Sequence, residues 1–151
     1  MGLPRIPCSL RALIGKRFFP FVTYFLTSSH INKAIDAIVD TGSPYTVLST
    51  NEILGTRLPI HTMRKGETVS LAGFRFFRYP INNVTLTFRT ETNELFKGRL
   101  GSIGALVPTK PDKKTLDDVK HIPNIIGHDF LEENKLSLYF NPSAKITYLE
   151  Y

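Results

Sequence analysis

Asp40 is followed by Thr41, Gly42 and Ser43 and preceded by the apolar run Ala37-Ile38-Val39, within the stretch AIVDTGSPYTVLS. An apolar run that stops on a carboxylate reads as a buried strand delivering that group to a turn. Desolvation penalises an ionised carboxylate, so such a group needs amide donors, a hydroxyl donor or a shared proton. Gly42 has no side chain to obstruct a close backbone N–H, and Thr41 and Ser43 supply hydroxyls that can orient the carboxylate or the neighbouring chain. The chemistry on offer is general acid or base catalysis. The plain alternative is a turn-forming aspartate bonded to nearby amides, a common use of Asp beside Gly.

One carboxylate cannot easily both deprotonate a water and protonate a leaving amine in one cycle, whereas two that share a proton can divide those roles. No second Asp-Thr-Gly and no Asp-Ser-Gly occurs in the chain. Asp129, in IIGHDFL, opens a predicted helix, where an acidic residue has an ordinary stabilising place. The partner carboxylate is therefore expected from another molecule.

Other reactive types assemble into nothing comparable. His30, His61, His121 and His128 lack metal-ligand spacing, and the single cysteine, Cys8, rules out an internal disulfide framework, so no metal or other cofactor is expected. A lone thiol fits a reducing compartment best, and a cytoplasmic location is the expectation. Lys and Arg total 19 against 13 Asp and Glu, a formal charge of +6, which raises nucleic acid as a partner. The basic residues are scattered, however, and short pairs such as Arg64-Lys65 and Lys113-Lys114 read as solvated surface, so no nucleic-acid function is expected. The apolar segment Phe18 to Leu26 contains Pro20 and Thr23, lacks a small-residue cleavage site and is too short to cross a bilayer. Met1-Gly2 fails as a myristoylation signal because Ile6 stands where Ser or Thr is required.

At 151 residues, 42% hydrophobic and 21% charged, the chain has the length and mixture of one globular domain. Residues 1–17 carry Pro4, Pro7 and no sustained periodicity, and read as an N-terminal arm or a removable pro-segment ahead of a domain over 18–151. FVTYFLTS and KAIDAIVD form a predicted hairpin that ends on Asp40. Ser49 to Leu54 predicts a short helix stopped by Gly55. ETVSLAGFRFFRY predicts two strands around Ala72-Gly73, and Pro80-Ile81-Asn82-Asn83 a second break before VTLTFRT. The Pro- and Lys-rich stretch from Thr109 to Pro123 predicts an exposed loop with a short helix around Leu116 to Val119. A helix over Asp129 to Asn134 and a closing hairpin turning at Asn141-Pro142-Ser143-Ala144 complete the pattern.

Taken in order, AIVDTGSPYTVLS, VSLAGFRF and IIGHDFLEENKLSLYF resemble the active-site loop, the glycine-containing flap and the second apolar-apolar-Gly loop with its helix in the retropepsin-like aspartic proteases, single-domain relatives of the retroviral enzymes. The resemblance spans Phe21 to Tyr151. It implies an all-β fold, a closed and mostly antiparallel acid-protease barrel with a flap hairpin and one or two short helices. It also implies a homodimer with one Asp40 per subunit at the floor of a shared cleft, hydrolysing peptide bonds by water attack on a polypeptide substrate, with no membrane insertion. By the same analogy Thr41 locks the two active-site loops together and Gly42 gives backbone contacts to the dyad. Ser43 supports the loop, and Leu71, Ala72, Gly73, Phe74, Ile126 and Gly127 contact substrate from the flap and second loop. His128 departs from the pattern, standing where retroviral members usually carry an arginine that buttresses the dimer. A catalytically silent peptide-binding module with the same fold is the alternative expectation.

Overall fold

A computed structural model describes residues 4–12 and 17–151. Eleven strands and three short helices follow one another along these residues. The first strands are β1 (Ile6–Pro7), β2 (Ser9–Ala12), β3 (Phe18–Thr27), β4 (Asn32–Val39) and β5 (Val47–Leu48), followed by α1 (Thr50–Thr56). A 3-10 turn at Ile60–Thr62 leads to β6 (Thr68–Leu71), β7 (Phe74–Arg89), β8 (Leu95–Pro108) and α2 (Lys113–Val119). The chain closes with β9 (Asn124–Ile126), α3 (His128–Glu133), β10 (Ser137–Asn141) and β11 (Ile146–Glu150). The all-β class expected from the sequence is thus the class observed.

Eight strands form one sheet in the order β2-β3-β4-β9-β5-β8-β7-β6, with a further antiparallel pairing of β3 to β7. Its ladders are antiparallel except at β4–β9 and β5–β8, which are parallel. A second sheet orders β1-β11-β10. The expected hairpin is β3–β4, with Thr27 opposite Asn32 and Phe21 opposite Ile38. Alternation along β3 turns Val22, Tyr24 and Leu26 inward. These pack with Ile35, Leu86, Phe88, Ile103 and Phe130 in the main core. Residues 6–12, set apart from the domain in the sequence, pair with both sheets: Ile6 with Leu149, and Ser9–Ala12 with Phe18–Phe21. Detaching residues 1–17 would therefore strip two ladders. Between β1 and β2, burial pushes the Cys8 thiol up to about 12, so it stays protonated at neutral pH.

Two local expectations need correction. Gly55 does not end α1; the helix runs on to Thr56, and Arg57 supplies the left-handed residue at φ 54°. Nor do Pro80 to Asn83 interrupt the chain. They lie inside the continuous strand β7, whose register with β8 holds from Phe76–Pro108 to Arg89–Leu95. Asn83, at φ 54°, marks a bend where the inward face switches from Ile81 to Val84, Leu86 and Phe88. Asn tolerates this conformation because its short polar side chain is compatible with the left-handed region. Opposite it, β8 carries glycines at 98, 101 and 104, which weaken the strand pattern in the sequence.

Gly98 is there for space. A Cβ on it would stand 2.4 Å from the ring of the fully buried Phe130. Gly98→Ala is expected to destabilise the protein by about 1–3 kcal/mol through overpacking, read as a lower urea midpoint with an unchanged slope.

Candidate active site

The position of Asp40 follows from the parallel pairing of β4 with β9, which sets Val39 beside Ile126. The ladder continues one step beyond the strand, where Asp40 N–H donates to the Ile126 carbonyl at 3.0 Å. The chain then turns tightly: Ser43 N–H donates to the Asp40 carbonyl at 3.0 Å, and Gly42 N–H donates to Asp40 Oδ1 at 3.0 Å. A Cβ on Gly42 would lie 3.3 Å from that same Oδ1, so a larger residue would crowd the donor–acceptor pair. Asp40 is half-buried rather than fully buried, and Thr41 and Gly42 are exposed.

A second loop locks the first. His128 N–H donates to the Ser43 carbonyl at 2.7 Å and Asp129 N–H to the Pro44 carbonyl at 3.3 Å. Ser43 Oγ donates to the Tyr45 carbonyl at 3.0 Å. Thr46, fully buried, accepts from Gly127 N–H at 3.0 Å and donates to Asp129 Oδ1 at 2.7 Å. Gly127 has to be glycine, since a Cβ there would come within 2.5 Å of the Tyr45 carbonyl and 2.8 Å of the Ser43 oxygen. Asp129 thus combines the first-turn role expected on α3, where its Oδ1 also accepts from Phe130 N–H, with a side-chain tie to the Asp40 loop. His128 faces outward and pairs with Glu132 at 3.2 Å. On the other flank, buried Asn124 accepts from Ser49 N–H at 2.8 Å and donates to the Asp36 carbonyl and to Glu52, whose other carboxyl oxygen pairs with Lys33 at 2.8 Å.

Above Asp40 the β6–β7 hairpin turns at Ala72-Gly73, both with positive φ, at 52° and 82°. This is the two-residue geometry that matches the twist of paired strands. A cavity of about 290 Å³ separates hairpin and floor. Asp40, Gly42 and Ser43 line its base, Val69, Ser70 and Leu71 its roof. A second cavity of about 410 Å³ adjoins it across Leu71 and Ile125, which line both. Ala72 and Phe74 border this second space, facing Asp118, His121, Ile122 and Pro123 from α2 and the loop after it. The long loop is held in form partly by Asp112, which caps α2 by accepting from Thr115 N–H at 2.8 Å; that bond holds its carboxyl below the usual range. A hollow of about 510 Å³ elsewhere is lined by Asn83 to Thr85 of β7, Arg99 to Gly101 of β8 and Glu133 of α3, and contains none of the candidate site residues.

Of the residues singled out in the sequence, Asp40, Gly42, Ser43 and Leu71 meet around one cavity and Leu71, Ala72 and Phe74 around the next. Thr41 and Gly73 are exposed and border neither. Gly127 acts through its backbone within the loop lock. Ile126 is fully buried in the main core, and its neighbour Ile125 faces the cavities instead, as strand alternation requires. Thr46, Tyr45 and Arg78 join the site without standing out by residue type. Thr46 alone left a signal, as a polar residue inside the apolar run that follows the turn.

Among solved structures, the chain is similar to the crystal structure of a retropepsin-like aspartic protease from Rickettsia conorii, with a TM-score of 0.51 and 16% sequence identity over 97% of this chain and 89% of that one. No family model and no curated protein matches the sequence. The molecule has the retropepsin-like aspartic-protease fold, as the ordered motifs implied. Among the described residues, no helix is long and apolar enough to cross a membrane.

The loop lock is open to a direct check. Thr46→Val keeps the shape but deprives Gly127 N–H of its acceptor and Asp129 of one of its two donors. Urea unfolding is expected to show a loss of about 1–3 kcal/mol, the cost of buried groups left unpaired, with Thr46→Ser recovering most of it.

Proposed function

We propose that the protein is an aspartic endopeptidase that works as a homodimer, with Asp40 of each subunit supplying one carboxylate to a shared catalytic pair. The observation that carries this reading is a half-buried aspartate at the floor of a cavity roofed by a hairpin. Among the described residues, its carboxyl receives one hydrogen bond, from Gly42. One side of the carboxyl is thereby oriented and the other is left for a water and a partner.

Two such groups in proximity cannot both ionise freely, so they share a proton. The ionised member takes a proton from the attacking water while the protonated member donates to the carbonyl oxygen of the scissile bond. The roles then reverse as the amine leaves. No metal, nucleotide or covalent intermediate enters this sequence. Thr41, exposed at the tip of the loop, is suited to bind its counterpart across the two-fold axis, and Gly42 to offer its backbone to substrate.

An extended peptide fits the space between hairpin and floor. It would gain main-chain hydrogen bonds along its length and place alternate side chains in the two adjoining cavities. Phe74, Ile122 and Ile125 make the second of these apolar on most sides. The loop carrying α2 then limits which side chains enter it.

Asp40→Asn changes one atom of the carboxyl and keeps the Gly42 bond to an oxygen. It is expected to leave thermal melting close to that of the unaltered protein and to lower peptide hydrolysis by at least about a thousandfold, as for loss of a central catalytic group. Mass measurement of peptide digests over a range of pH is the assay. Undiminished cleavage by the purified variant would refute the mechanism.

A further inference from the structure

Arg78 is the basic residue among those lining the cavity at Asp40, and no ion pair to it forms among the described residues. It lines the same cavity as Asp40, Tyr45, Ser70 and Leu106. Its backbone is held along one edge of β7 by the segment that precedes β6: Arg78 N–H donates to the Glu67 carbonyl at 3.0 Å, and Gly66 N–H donates to the Arg78 carbonyl at 2.8 Å. Across the ladder it faces Leu106. The side chain runs over Gly104, where a Cβ would stand 2.6 Å from Arg78 Nε and 2.7 Å from Cγ. Only a glycine at 104 leaves that path open.

The guanidinium at the end of this path is poorly satisfied. Nη2 reaches Ser102 Oγ at a long 3.4 Å, while Nε is buried with no acceptor. Its carbon lies 5.6 Å from the centre of the Tyr45 ring, which gives the planar group one wall. Among the described residues Lys33 pairs with Glu52 and His128 contacts Glu132, and no carboxylate among them forms an ion pair with Arg78. A guanidinium carries five donors in a fixed fork and no acceptor; Arg78 is half-buried, and its Nε is the donor withdrawn from water without a partner, which is costly. A neutral substrate side chain would leave that cost in place. A carboxylate would remove it with a two-pronged, charge-assisted pair.

We propose that Arg78 is a specificity-determining residue, and that the substrate is a peptide bearing Asp or Glu in the subsite formed by Arg78, Tyr45 and Leu106 beside the scissile bond. This rests on the protease reading of the same site. The net charge of +6 works in the same direction, drawing acidic chains toward the protein before they dock.

The test is digestion of a peptide library, acetylated and amidated so that side chains carry the only carboxylates, by the unaltered protein, Arg78→Gln and Arg78→Glu. Asp and Glu should be enriched about tenfold or more at one position flanking the cleaved bond, the ratio expected of one well-formed charged pair. Arg78→Gln should flatten that position, and Arg78→Glu should shift it toward Lys and Arg. Cleavage without acidic enrichment, or with the same enrichment in Arg78→Gln, overturns the inference and leaves the protease reading standing. Absence of any cleavage by the unaltered protein removes the protease reading. The inference is then decided by fluorescence anisotropy with a labelled alanine-based octapeptide holding one central Glu and its Gln counterpart. Tighter binding of the Glu peptide supports it, and equal or undetectable binding of the two overturns it. That comparison needs no variant, and thermal melting shows whether the two variants are folded.

Discussion

Asp40 stands where it does because Val39 and Ile126 are neighbours on parallel strands, and everything around the candidate site follows from that pairing. The ladder ends by donating Asp40 N–H to Ile126, after which both chains must leave the sheet together. Their departing loops carry many backbone donors and acceptors, and burying those unpaired would be costly. The loops satisfy each other instead, through Ser43 with His128, Pro44 with Asp129, and the buried hydroxyl of Thr46 between Gly127 and Asp129. Gly127 allows the contact because no side chain fits between it and Tyr45. The result is a carboxylate whose backbone is rigid on the inner side and whose outer side is free.

The same economy of space shapes the ribbon above it. β7 and β8 are long enough to reach from the main core, around Phe88 and Phe130, to a smaller apolar cluster of Ile38, Val47, Phe76, Leu106, Val119 and Ile125 under the two cavities. The bend at Asn83 lets one continuous ribbon serve both. The glycines of β8 then admit what must cross it: Phe130 at Gly98 and Arg78 at Gly104. A core residue and a cavity residue are thus positioned by one device, the omission of a side chain.

Much of this was legible in the residues. The Asp-Thr-Gly-Ser loop announced itself because an apolar run ends on a charged group, and the β6–β7 hairpin because Ala72-Gly73 punctuates two alternating strands. Gly127 followed from its apolar neighbours. What stayed hidden depends on register between distant segments. β8 does not look like a strand, because three glycines blur its alternation, although its pairing with β7 sustains it. Ile125 and Ile126 are indistinguishable as residue types, and only the strand face separates cavity wall from core. Arg78 gave no local signal, since its place in the lining of the Asp40 cavity arises from the pairing of β7 with β8 and from the gap at Gly104. Residues 6–12 were unreadable as strands for a related reason: such short pieces acquire their structure from Leu149 and Phe21 rather than from their own pattern.

The proposed catalysis needs two Asp40 carboxylates, one from each of two chains. Co-refolding the unaltered protein with Asp40→Asn in varied ratio at constant total concentration tests this most directly. If both carboxylates of a randomly assorted dimer are required, peptide hydrolysis will fall as the square of the unaltered fraction, to about one quarter at an equal mixture. A linear fall, to about one half, would mean that each chain works alone and would contradict the account.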